Sequence, residues 1–126
     1  MRCVWFALLL LVSSALATAQ KDTTSLMDTG NGYLDVCDHA DVLPAVGMTC
    51  LAYVNGVIEG ITLEHDFAKK RGAATIGAPF CVPQGVTLGQ EGAIVVKYMK
   101  AHPEKTHLAT AVLILGAIRD AFPCVR

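Results

Sequence analysis

The sequence predicts an all-α fold, a small helical domain of about four helices stapled by two disulfides. Three observations predict it. Apolar residues between Pro44 and Phe122 recur at three-to-four spacing, the helical period, and not at the alternation of a strand. Residues that start helices stand at the right places: Pro44, the pair Thr87 and Gln90, and Pro103. Two cysteines, Cys81 and Cys124, lie just outside the two open ends of an implied helical hairpin, where a disulfide would clamp it.

Residues 1 to 19 read as a secretory leader. Arg2 supplies the positive start, Val4 to Val12 is an unbroken apolar run, and Ala17-Thr18-Ala19 is the small-x-small pattern that signal peptidase cuts after. The run is far short of the ~20 residues that cross a bilayer as a helix. Cleavage after Ala19 starts the mature chain at Gln20 and implies export. Ten basic residues become nine once Arg2 leaves, against 11 acidic ones. This near balance, without a basic patch or a basic amphipathic run, argues against nucleic acid and against a membrane surface after cleavage.

Cys3 precedes the apolar run and leaves with the leader, so Cys37, Cys50, Cys81 and Cys124 remain. An even count in a small exported chain reads as two disulfides. Local geometry leans towards Cys37–Cys50, closing a short loop, with Cys81–Cys124 closing the hairpin. Cys50–Cys81 with Cys37–Cys124 stays open, because four cysteines allow three connectivities.

Residues 20–32 form a polar lead-in, with a turn signal at Thr29-Gly30-Asn31-Gly32. The helical domain spans residues 33–126. Tyr33 to Cys37 is a short helix that runs into an acidic loop at Asp38-His39-Ala40-Asp41. The first long helix runs from Pro44 to Lys70, with Val46, Cys50, Tyr53 or Val54, Val57, Ile61 and Ala68 on its apolar face. Gly56 and Gly60 lie four apart on one face, and the expectation there is a close contact with another helix of the same chain, with a dimer seam as the alternative. Arg71-Gly72 stops the helix. The next is opened by Thr87 and Gln90, a Thr-x-x-Gln capping box, and ends near Ala101. His102 is expected to cap a final helix that begins at Pro103 and carries a stripe of Leu108, Ala111, Val112, Leu115, Ile118 and Phe122. Pro123 ends it.

Catalysis finds little support in these residues. His102 and His107 are five apart, roughly 140° round a helix, whereas the zinc-protease pattern needs four. Asp38, His39 and Asp41 read as a solvated acidic loop. Glu64-His65-Asp66 lacks a nucleophile to complete a site, and Ser25 lacks a nucleophile elbow. The expectation is no enzyme, no metal and no cofactor.

With these residues in place, the chain resembles the type VI secretion immunity proteins of the Rap/Tai class. The resemblance covers Tyr33 to Cys124. It rests on Cys37, then Cys50-Leu51-Ala52-Tyr53 with Gly56, then Cys81-x-Pro83-x-Gly85-Val86-Thr87-x-x-Gln90 and Val95-Val96-Lys97-Tyr98. It closes on His102-Pro103-Glu104-x-x-His107 and Ala121-Phe122-Pro123-Cys124. Ala52 stands where the pattern usually has glycine, and the loop before Cys81 follows no fixed pattern.

The resemblance implies a helical inhibitor, exported to the periplasm, that binds a peptidoglycan amidase, forms a homodimer and meets its toxin through a surface loop. The local candidates for that contact are His65, Asp66, Lys69, Lys70 and Arg71 at the end of the long helix, with Phe80 beyond them. The alternative is a general periplasmic helical protein of structural or chaperone type, without a dedicated toxin.

Overall fold

The structure, a computed structural model, describes residues 26–39, 43–73 and 78–124. The leader, the cleavage point and the first residues of the lead-in lie outside these. Four α-helices make the fold: α1 (Gly30–Cys37), α2 (Pro44–Lys70), α3 (Leu88–Ala101) and α4 (Thr110–Ala121), with a 3₁₀ turn at Pro103–Lys105. The two disulfides are Cys37–Cys50 and Cys81–Cys124.

α1 starts three residues earlier than the sequence suggests. Thr29 adopts extended backbone and its hydroxyl accepts from the Gly32 amide, so it caps the helix that the glycines were expected to interrupt. Those glycines serve close approach. A Cβ on Gly30 would collide with Leu113 Cδ1 and come within 3.1 Å of the Thr106 backbone, and one on Gly32 would strike the Leu26 carbonyl. The lead-in is therefore tied down from Met27 onwards. Gly30 and Asn31 amides donate to the Leu108 and Thr106 carbonyls, and the buried Thr110 hydroxyl donates to the Met27 carbonyl at 2.6 Å.

α2 has Pro44 in its first turn and ends in a Schellman motif. Gly72 takes the left-handed backbone at φ 68°, the Ala73 amide reaches the Ala68 carbonyl, and the Gly72 amide reaches that of Lys69. Before α3, Gly85 turns the chain at φ 91°. Thr87 and Gln90 then form the reciprocal capping box: the Gln90 amide donates to the Thr87 hydroxyl, and the Thr87 amide to the Gln90 side chain at 2.7 Å.

The final helix differs from the expectation. Pro103 opens only a 3₁₀ turn, and α4 begins at Thr110 behind an uncapped Ala109. The Thr106 hydroxyl donates to the Pro103 carbonyl, while the carbonyls of Thr106 and Leu108 face α1 and take its amides. A continuous helix would need those carbonyls for itself. His102 consequently caps no following helix; its ring stacks on Tyr98 and its Nδ1 lies 2.9 Å from the Tyr98 carbonyl, finishing α3. The buried stripe keeps Ile118 from the expected set, with Leu115 and Phe122 packed against its edge, and loses Leu108 and Val112. Leu113, Ile114, Ala117 and Ile118 face inward, whereas Leu108 and Val112 are exposed.

Those four residues meet Val95 and Met99 of α3, Val54 and Ile58 of α2, and Tyr33 of α1 in one core. Cys37–Cys50 joins the end of α1 to the first half of α2. Cys81–Cys124 ties the segment before α3 to the tail after α4, where the Cys81 amide also donates to the Phe122 carbonyl. The core thus holds one side of α2 and leaves the other to solvent.

Candidate functional site

That outer side of α2 is the largest feature the fold leaves unused. Cys50, Val54 and Ile58 point inward, so the helical period sends Met48, Ala52, Gly56, Gly60, Leu63 and Phe67 outward. Met48, Leu63 and Phe67 are 66%, 56% and 50% exposed, high values for large apolar side chains. Gly56 and Gly60 have nothing within 4 Å of where a Cβ would stand, so the expected internal helix contact does not occur. The reason is geometric: α1, α3 and α4 all meet the opposite face. By length and composition α2 could cross a membrane, yet only 11% of its most apolar 18-residue window is buried. Its apolar character is spent mostly on a surface.

At the C-terminal end of this face the character changes from apolar to charged. Asp66, Lys69, Lys70 and Arg71 are exposed there. The Lys70 ammonium sits 5.8 Å from the centre of the Phe67 ring, a cation–π arrangement that holds both side chains over the same patch. His65 is half-buried, with Nδ1 3.8 Å from Asp66 Oδ1 and a buried Nε2 that finds no hydrogen-bond partner. The cations complement the negative end of the helix. These five residues therefore gather at one end of α2. Phe80 does not join them: it is 8% exposed and belongs to the core. It precedes the disulfide Cys81, which draws the loop inward, so the expectation of an exposed aromatic there fails.

Sequence reasoning passed over Met48, Leu63 and Phe67. A second apolar stripe on α2 was available to it, opposite the one chosen for the core. A helix apolar on two sides in a chain this small has more such surface than its own core takes up.

Two charged contacts lie between helices away from this face. Asp38 pairs with Lys100 across α1 and α3. Burial holds the Glu91 carboxyl above its usual range, and the Glu59 carboxylate facing it from α2 adds to the effect. All four described cysteines are in disulfides, so none offers a thiolate. Among the described residues no three His, Cys, Asp or Glu side chains group as a metal site would need. Asp41 of the acidic loop lies outside the described residues. What this surface offers is recognition: an apolar stripe, close approach at two glycines and a basic end.

Comparison with known proteins agrees with that character. No curated protein and no solved structure gives a significant match. The family model for Rap1a immunity proteins matches residues 29–124, from the cap of α1 to the last disulfide cysteine. The chain belongs to the Rap1a immunity protein family, and so to proteins that protect against a secreted effector.

Proposed function

We propose that this protein acts in the periplasm, where it binds a secreted peptidoglycan amidase and blocks its active-site cleft. The observation that carries the reading is the family match across residues 29–124. The outer face of α2 supports it physically. Met48, Leu63 and Phe67 give an apolar contact, Gly56 and Gly60 let a partner's backbone approach closely, and Lys69, Lys70 and Arg71 give the rim a positive charge. Inhibition by occlusion needs no chemistry from the inhibitor, only a rigid surface, and two disulfides suit an exported scaffold.

A homodimer would draw on the same face, since the two glycines also suit a second copy of α2. Size exclusion of the mature chain with and without amidase separates the two uses: a dimer that persists in the complex leaves α2 to the second copy.

The test is a pull-down with residues 20–126 as bait. Recovery of one cell-wall amidase, whose hydrolysis of peptidoglycan stops on mixing, supports the reading. Recovery of many unrelated envelope proteins favours the general chaperone-like alternative, for which an exposed apolar helix face is equally apt.

A further inference from the structure

Away from the outer face of α2, the helices α1, α2 and α3 enclose an open groove of about 670 Å³. Its floor is apolar, made by Tyr33, the Cys37–Cys50 bridge, Leu51 and Val96. Small residues give it depth, because Gly47 on α2 and Gly89 and Ala93 on α3 bring no more than a methyl group into it. Its rim is cationic: Lys97 and Lys100 line it from α3 against the single carboxylate of Asp38. Asp38 is bonded to Lys100, so among the described residues Lys97 has no carboxylate within ion-pair distance. A groove of this size lies within the range that takes small ligands or peptide side chains.

We propose that this groove seats a short extended segment of the effector, with apolar side chains on the disulfide floor and an adjacent carboxylate on Lys97. The proposal rests on the immunity reading for the identity of the partner, and on the groove's own chemistry for the identity of the segment. From Gly89 to Lys100 the groove follows α3 for about 16 Å at 1.5 Å per residue, which an extended chain spans in about five residues. An apolar floor beside an exposed ammonium that no described carboxylate pairs favours a segment of alternating apolar and acidic side chains. A second copy of this chain fits poorly, since its exposed acidic run Glu64-His65-Asp66 is held within α2. A phosphate backbone would meet the apolar floor and Asp38.

The test uses the mature chain, a blocked pentapeptide of alternating leucine and glutamate, and the same peptide with lysine for glutamate, followed by amide NMR. The acidic peptide should bind saturably, moving the amides of Gly89, Ala93 and Lys97. Lys97→Glu should weaken binding about threefold to fivefold, by less as salt is raised, because Lys97 is an exposed rim charge. Gly89→Leu should abolish it by filling the groove. That variant should fold, since a Cβ there meets nothing nearer than the Thr87 hydroxyl at 3.9 Å. Absence of saturable binding to the wild type, or equal binding of the lysine peptide, overturns the proposal.

Amidase inhibition then separates the two readings. Loss of inhibition in Gly89→Leu alone supports the groove as the effector's seat. Full inhibition by Gly89→Leu overturns the groove's part and leaves the immunity reading standing. A wild type that inhibits no amidase overturns the immunity reading, and with it the effector as the source of the segment.

Discussion

Tyr33 shows how one residue records the packing around it. Burial pushes its hydroxyl up to about 12, and Tyr53 beside it adds a smaller push. A tyrosine raised in the fold contributes stability that is whole below its ordinary value of 10.0 and lost as pH climbs through the raised one. Denaturant titrations between pH 10 and 12 should therefore show a loss on the order of 2 kcal/mol, and Tyr33→Phe should lack that slope. Glu91 works in the opposite sense. A carboxyl raised by burial and by Glu59 costs the fold stability while ionised, above its raised pKa, and the cost disappears on protonation. Glu91→Gln should stabilise the fold at neutral pH by a small amount, within about 0.5 kcal/mol, seen as a slightly higher thermal midpoint, and leave it unchanged in acid. Neither effect was legible in the sequence, because both depend on which residue of a neighbouring helix lies opposite. Phe80 was misread for a related reason: one aromatic in a loop has no periodicity to say which way it faces.

The elements were legible wherever boundary chemistry was local. Pro44 with Arg71-Gly72 marked both ends of α2, and Thr87 with Gln90 marked the start of α3. α4 was placed too early because its start is decided at long range, by carbonyls of Thr106 and Leu108 given to amides of α1. The orientation of α2 was half legible: its inner stripe stood out, whereas the exposure of Gly56 and Gly60 depended on where the other helices lie. That exposure makes a prediction of its own. Gly60→Ala meets no neighbour and removes backbone freedom from the unfolded chain, so it should stabilise the isolated protein by roughly 0.5–1 kcal/mol in a thermal melt. Phe67→Asp on the same face should leave the melt nearly unchanged and weaken amidase binding at least about tenfold in calorimetry, as loss of an interface anchor does. Unchanged binding would remove the outer face of α2 from the site.

At the scale of the whole molecule, two covalent ties and one core hold a short chain together. The Cys37–Cys50 bridge closes a separation of 13 residues and Cys81–Cys124 one of 43. Restricting the unfolded chain makes these worth about 3 and about 4 kcal/mol. Replacing Cys81 and Cys124 together by serine should accordingly lower the denaturation midpoint more than replacing Cys37 and Cys50. The pairing was favoured in the sequence by the short loop between Cys37 and Cys50 and by the placement of Cys81 and Cys124 at the open ends of the hairpin, although spacing alone left the alternative open. Fold class was readable because helical period, caps and cysteines agree, and each is a local property. Of the proposed contact surface, the sequence suggested only the charged end, since an exposed apolar face is defined by what the rest of the fold fails to cover. The central claim is inhibition by direct occlusion, and the most direct measurement is peptidoglycan hydrolysis by the captured amidase as mature protein is titrated in. Hydrolysis falling to zero at a fixed stoichiometric ratio, with the immunity protein recovered intact, is the result that the proposed occlusion predicts. Hydrolysis that continues with the protein in excess, or an inhibitor consumed in the reaction, would contradict it.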